Sequence, residues 1–364
     1  MTKRERVIAI MKGQTPDKVP WFGDLAYWVT YLKETNTMPK AYELEDGVFR
    51  LHEDLEMGYH LQGLYPFTTH YEGVDVEVSQ SGVVTTTTYK TPVGTLTERW
   101  QRVEFSKAPL EHMIKGIDDL PALRYLYEHT YYEPVYDKVV KHHEYVKNNG
   151  ISICYAPRTP FMELTVLKAG LEALTYCILD DQDEFEATLS VIDKNFDSAF
   201  DIAVNAPCDA VMVPENLSSE VIGKTFYHDY MEQKHKEWTK IIKDHDKFSF
   251  IHMDGTLRGL MTEVSNSGFR VMEALTPAPV GDVPVEEFAQ MTSKDVILWG
   301  GLPGAYFDES FPIAEFDEFV KKTVQFMAKD PRYVLGVADQ VPPYASFDRI
   351  KRVNAIVEEY GGYQ

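Results

Sequence analysis

Residues 248–255 read Phe248-Ser249-Phe250-Ile251-His252-Met253-Asp254-Gly255, a short, mostly apolar run that ends in polar groups and a glycine. Runs of the same kind recur at 151–155, 210–213, 270–272, 296–299 and 333–337. Helical patterns separate them. Over 183–205, Leu189, Ile192, Phe196, Ala199 and Ala203 share one helical face, and over 314–329 Phe316, Phe319, Val320, Thr323 and Met327 do the same. Continuous apolar strands joined by helical crossovers imply a parallel sheet buried on both faces. Six such units are legible, with room for more upstream. In a chain of 364 residues they fit a closed (β/α)8 barrel of the TIM type better than an open sheet. No glycine-rich phosphate loop follows any strand, which argues against Rossmann and P-loop folds. Gly300-Gly301-Leu302-Pro303-Gly304 lacks that spacing and reads as a tight turn after a strand, where backbone passes close to something.

Working outward from these units, the first half of the chain is different. Residues 4–12 are helical in period, with Val7, Ile8 and Met11 on one face, and Pro16 and Pro20 end that helix. Trp21, Phe22, Tyr27, Trp28 and Tyr31 follow, either as core or as the wall of a pocket for a flat organic ligand. Between 74 and 103, three alternating runs are separated by Ser81-Gly82 and Thr91-Pro92, which predicts an antiparallel β meander. The expected organisation is one barrel domain over 1–364, with an insertion at 72–103 serving as lid or edge.

Composition narrows the function. No apolar run approaches the ~20 residues that span a bilayer, and Met1-Thr2-Lys3-Arg4-Glu5-Arg6 lacks the apolar core of a signal peptide. A cytoplasmic protein without membrane association is expected. Cys154, Cys177 and Cys208 are far apart and form no CxxC pair, so a disulfide framework or finger-type zinc site is not expected. The net charge of -21, with no basic cluster, excludes nucleic acid as a partner and opposes a polyanionic substrate.

In a barrel of this kind the active site lies at the C-terminal strand ends. The polar residues there are Arg158, Glu215, His252, Asp254, Glu273 and Asp339. His252 and Asp254 are two apart, so an extended strand end puts both on one side. One imidazole and several carboxylates suit zinc or another divalent cation. The same groups could instead cap helices, bind arginine or, for His252, sit hydrogen-bonded in the core. His142, His143, His235 and His245 lie in charged helical stretches and read as solvated surface residues.

Several segments, in order, carry a family resemblance. Thr2-Lys3-Arg4-Glu5-Arg6-Val7 with Pro16-Asp17-Lys18-Val19-Pro20 resembles the opening of uroporphyrinogen decarboxylase-like proteins. Thr91-Pro92-Val93-Gly94-Thr95-Leu96 is similar to a segment of their methyltransferase branch. His252-Met253-Asp254-Gly255, Gly300-Gly301-Leu302-Pro303 and Ala338-Asp339-Gln340-Val341-Pro342-Pro343 also match in order. The resemblance implies a (β/α)8 barrel and two possible chemistries. True uroporphyrinogen decarboxylases carry an arginine-rich clamp after the first proline turn. Here Trp21-Phe22-Gly23-Asp24-Leu25-Ala26-Tyr27-Trp28 holds no arginine, which argues against a tetrapyrrole with many carboxylates.

The other branch moves methyl groups to a corrinoid protein, and its thiol-using members bind zinc through His-x-Cys and a later Cys. The matching positions are His252, Asp254 and Asp339, with aspartate at both cysteine positions. Carboxylates make a harder site than thiolates, better suited to polarising an ether oxygen. The resemblance thus implies a zinc-dependent O-demethylase component acting on a small methoxylated aromatic, with a corrinoid carried by a partner protein. Glu215, His252, Asp254 and Asp339 would hold zinc. Trp21, Phe22, Tyr65 and Phe67 would line the substrate pocket, and Arg158 and Glu273 would orient substrate or move protons. Two rivals stay open: a metal-free decarboxylase using Asp24 and Asp75, and a non-catalytic corrinoid or tetrapyrrole binder. One exposed barrel face could support a homodimer.

Overall fold

The structure, a computed structural model, describes residues 1–60 and 64–363. By contact the chain divides into two compact units, residues 1–64, 137–155 and 207–364 in the first and 65–136 with 156–206 in the second. In chain order the early strands are β1 (Trp21–Phe22), β2 (Phe67–Tyr71), β3 (Asp75–Ser81), β4 (Val84–Thr91), β5 (Gly94–Val103), β6 (Ser106–Glu111) and β7 (Thr130–Pro134). The later ones are β8 (Ile153–Tyr155), β9 (Ala210–Leu217), β10 (Phe248–Met253), β11 (Val271–Leu275), β12 (Ile297–Pro303) and β13 (Tyr333–Ala338).

In the first unit, seven strands among the described residues form one parallel sheet in the order β1-β13-β12-β11-β10-β9-β8. The fold is α/β with a curled parallel sheet, of TIM-barrel kind. The six expected apolar runs all fall in this sheet. Its seventh member is β1, inside the aromatic stretch, where Trp21 pairs with Leu335 and Phe22 with Gly336. Beyond β1, Gly58 bridges to Phe22 and Tyr59 bridges to Gly150, both in the parallel sense.

Strand side chains alternate between faces, and one face here builds the core. Phe22, Ile153, Ala210, Met212, Phe250, Val271, Ile297, Trp299 and Val334 form one buried cluster with Val7, Ile10 and Met11 of helix α1 (Lys3–Met11). Thr2 and Glu5 start α1 with a reciprocal capping box. Arg4 donates to both carboxylate oxygens of Asp209, at 2.7 and 2.5 Å, and Arg270 Nε donates to the Met11 carbonyl at 2.9 Å. These bonds hold α1 under the end where the strands begin.

The glycine run Gly300–Gly301 belongs to β12 itself rather than to a turn after it. A Cβ on Gly300 would stand 2.5 Å from the Leu275 carbonyl oxygen, so the close backbone approach is real and comes from the neighbouring strand.

In the second unit the expected meander is present as β3-β4-β5 and continues through β6 into a four-stranded antiparallel sheet. Tyr89 and Leu96 supply its buried side, while Val78 and Val83 stay exposed. Separately, β2 and β7 pair antiparallel. Asn195, on the helix Gln182–Asn205, donates to the Tyr127 and Thr130 carbonyls at 2.8 and 2.7 Å and accepts from the Tyr132 hydroxyl at 2.8 Å. No helix among the described residues is long and apolar enough to cross a membrane.

Candidate active site

Strand parity explains which side chains meet. On β10 the core-facing series Phe250 continues to His252, and on β11 Val271 continues to Glu273. His252 and Glu273 are also register partners across the two strands. Their side chains meet accordingly, with His252 Nδ1 2.6 Å from Glu273 Oε2. The other carboxylate oxygen, Oε1, lies 3.2 Å from His60 Nε2. Glu273 thus bridges two imidazoles in a setting where it is 1% exposed and His60 2%. The His60 ring leans on Trp299, with centroids 4.7 Å apart.

With Nδ1 engaged, His252 turns Nε2 toward Asp339, whose Oδ1 is 3.5 Å away. Asp254 completes a group in which one ligand atom from each of His252, Asp254 and Asp339 lies within 4.8 Å of the others. Ligand atoms on one tetrahedral zinc stand roughly 3.3 Å apart, given bonds of about 2.0–2.1 Å. A histidine anchored through one nitrogen by a carboxylate and free to coordinate through the other is the usual arrangement at metal centres. The donor set therefore fits a divalent cation.

Electrostatics point the same way. Burial would lower the His252 pKa, but Glu273, Asp339 and Asp254 outweigh it and raise it to about 10. Burial would raise Glu273, yet His252 and His60 hold it at about 2, so this pair is ionic. Asp339 is pushed up to about 6 by burial and by the neighbouring Glu273 and Asp254. Asp24, next on the core-facing series of β1 after Phe22, is pushed up to about 8, first by burial and then by Asp339 and Glu273. Its Oδ1 accepts from the Ala26 N–H at 2.7 Å. Carboxylates thus outnumber the positive groups gathered here, which a bound cation would relieve.

Glu215 is fully buried, but Ala210 and Met212 on β9 face the core, so Glu215 falls on the opposite parity. It meets His235 Nε2 at 2.8 Å instead of joining the His252 group. His235 is therefore a buried residue of the helix Glu232–Asp244, not a solvated one, and also approaches the Tyr227 hydroxyl at 3.3 Å. Likewise His142 is partly buried, with Nε2 2.6 Å from the Tyr59 hydroxyl, whereas His143 is exposed. Phe22 is wholly buried against Trp299, ring centroids 5.0 Å apart, and Trp21 is 4% exposed; both are core residues that also border a cleft shared with Lys3, Arg6, Asn149 and Glu358. Asp75 is an exposed surface carboxylate 3.9 Å from Lys90. Arg158, Tyr65 and Phe67 belong to the second unit, where they line a common cavity.

His60 and the bridging role of Glu273 were not legible. His60 follows a two-residue bridge segment with no strand pattern to mark it. Asp24 carried a signal, since it lies two residues beyond Phe22 on the same parity.

The sequence profile of the family described as Uroporphyrinogen decarboxylase (URO-D) matches residues 110–360, well over half of the chain. The protein belongs to the uroporphyrinogen decarboxylase family, as the order of its motifs implied. A solved structure of a methyltransferase from Methanosarcina mazei superposes with a TM-score of 0.64 at 13% identity, over 99% of this chain and 99% of that one. At that identity the likeness is one of fold. No curated protein matches the sequence.

Proposed function

We propose that the protein is a zinc-dependent methyltransferase that takes the methyl group of a small methoxylated aromatic and delivers it to a corrinoid carried by a partner protein. The observation that carries this reading is the His252–Asp254–Asp339 group with Glu273 anchored behind His252. Its name-giving branch, decarboxylation of a polycarboxylate, lacks support: the 21–28 segment has no arginine and the site gathers carboxylates. The fold likeness to a methyltransferase is consistent with the reading.

Zinc held by His252, Asp254 and Asp339 would act as a Lewis acid on the ether oxygen and stabilise the departing phenolate. Glu273 would fix the His252 ring and keep its Nδ1 protonated, and a cation binding at Nε2 would displace the proton held there. Asp24, protonated near neutral pH, could give its proton to an oxygen that gains charge. That property of Asp24 also favours the second reading, a decarboxylase working without metal, because such a reaction needs a proton delivered to a carbanion. We further infer that Gly58–Tyr59 stands as the eighth strand and that one closed barrel domain results. The two bridges from this segment support it.

Zinc-loaded protein incubated with methoxylated aromatics, a reduced corrinoid protein and reductant should release the phenol. Failure across such a panel would sink the methyl-transfer reading.

A further inference from the structure

The second unit contains a cavity of about 400 Å³. Six aromatic side chains line it: Tyr65, Phe67, Tyr71, Tyr127, Tyr132 and Phe196. The Phe67 ring meets Tyr65 and Tyr132 edge-on, with centroids 5.6 and 5.3 Å apart, so the wall is a built cluster and not scattered contacts. Tyr65 and Tyr71 nonetheless stay 37% and 36% exposed, which leaves ring surface facing open space.

Three charged groups line the same cavity: Arg158, Glu163 and Lys168. Glu163 lies 3.6 Å from Lys168 and accepts from the Tyr127 hydroxyl at 3.3 Å, so it answers the lysine. Arg158 has no such partner among the lining residues, and among the described residues its buried Nε meets no hydrogen-bond acceptor. An unsatisfied buried guanidinium N–H costs roughly 1–3 kcal/mol or more. The planar fork of an arginine matches a carboxylate in two parallel hydrogen bonds. The cavity therefore presents ring faces and one uncompensated positive charge.

We propose that this cavity is a binding site for a flat aromatic monocarboxylate, its ring among the tyrosines and its carboxylate on Arg158. Among the described lining residues a dianion would find no second free cation, since Lys168 is paired with Glu163, and an uncharged aromatic would leave Arg158 unanswered. The site rests on its own residues and does not depend on the methyl-transfer reading.

The test is isothermal titration of the full-length protein with 4-methoxybenzoate and with neutral 4-methylanisole. Wild-type protein should bind the anion more tightly than the neutral analogue. Arg158→Gln should weaken the anion at least tenfold and leave the neutral compound unchanged, and chelator treatment should alter neither. Should Arg158→Gln fail to fold, Arg158→Lys serves, with a several-fold loss expected because the charge stays but the fork is gone. No anion binding at millimolar concentration would overturn the assignment. Equal binding of the two compounds would also overturn it, as would an unchanged affinity in the arginine variant or loss of binding with the chelator. None of these outcomes bears on whether the His252 group transfers methyl groups.

Discussion

His252 and Glu273 are register partners on adjacent parallel strands, and that pairing carries into the side chains as a 2.6 Å contact between Nδ1 and Oε2. The imidazole is thereby fixed in rotation, and only Nε2 remains for a ligand. Replacing His252 by alanine removes that donor and leaves Asp254 and Asp339 as a partly buried carboxylate pair. Elemental analysis should find near-stoichiometric zinc in wild-type protein purified without chelator and none in His252→Ala.

Glu273→Gln keeps the shape but removes the charge that holds both His252 and His60. Residues behind metal ligands typically contribute ~10–100-fold to metal affinity. A loss of that size is expected in competition with a fluorescent zinc chelator. An unchanged affinity would mean that His252 orients itself without Glu273.

Glu215 and His235 form a separate buried pair. Glu215→Ala strands the imidazole in the interior, and breaking a buried pair costs about 3–5 kcal/mol if both partners are charged. Thermal denaturation should show a marked drop in Tm, while zinc content stays at the wild-type level. Loss of zinc with little change in Tm would return Glu215 to the metal centre.

Asp24 gives the molecule a pH dependence of definite sign. Burial pushes its carboxyl up to about 8 in the fold, against about 3.9 in an unfolded chain. The folded state binds this proton more tightly, so the associated stability is full below about pH 4 and declines as pH rises through 8. In chelator-treated protein, Asp24→Asn should flatten the fall in unfolding free energy between about pH 5 and 8, by up to ~1.4 kcal/mol per pH unit. Parallel curves for the two proteins in urea titrations would show that Asp24 is ionised at neutral pH.

Gly300 has φ +148° and no room for a methyl group, because the nearest atoms belong to the Leu275 backbone. Gly300→Ala should lower stability by an amount on the order of 1–3 kcal/mol, measurable by chemical denaturation. Wild-type stability in that variant would mean that β11 can shift away from β12.

The barrel was legible where apolar runs were continuous, since a strand buried on both faces needs no polar alternation. Thus 210–213, 248–252 and 333–337 stand out, while β1 did not, because its two aromatic residues, Trp21 and Phe22, suit a pocket wall as well as a strand. The site was readable in part for the same reason. His252, Asp254 and Asp339 follow strands whose ends were visible, and the fold brings them together. The pairing of Glu215 with His235 was not legible, because an apolar run does not announce which of its residues face inward, and a single step along β9 turns a side chain from the core to the helices. His235 shows the converse. It sits among Lys234, Lys236 and Glu237, yet its own face of the helix is turned inward.

One feature of the sheet bears on how the molecule is made. β1 is joined to β13, so Trp21 finds its partner Leu335 about 300 residues further along the chain. Similarly, Arg4 waits for Asp209. A ribosome adding ~5–20 residues per second must run for many seconds before either partner emerges. Until then the side of β1 that takes β13 is uncovered, and α1 lacks the later members of its core cluster, Phe250 to Val334. The seam of the sheet is therefore also a clock, and nascent chains should depend on chaperone shelter until the final strand leaves the exit tunnel.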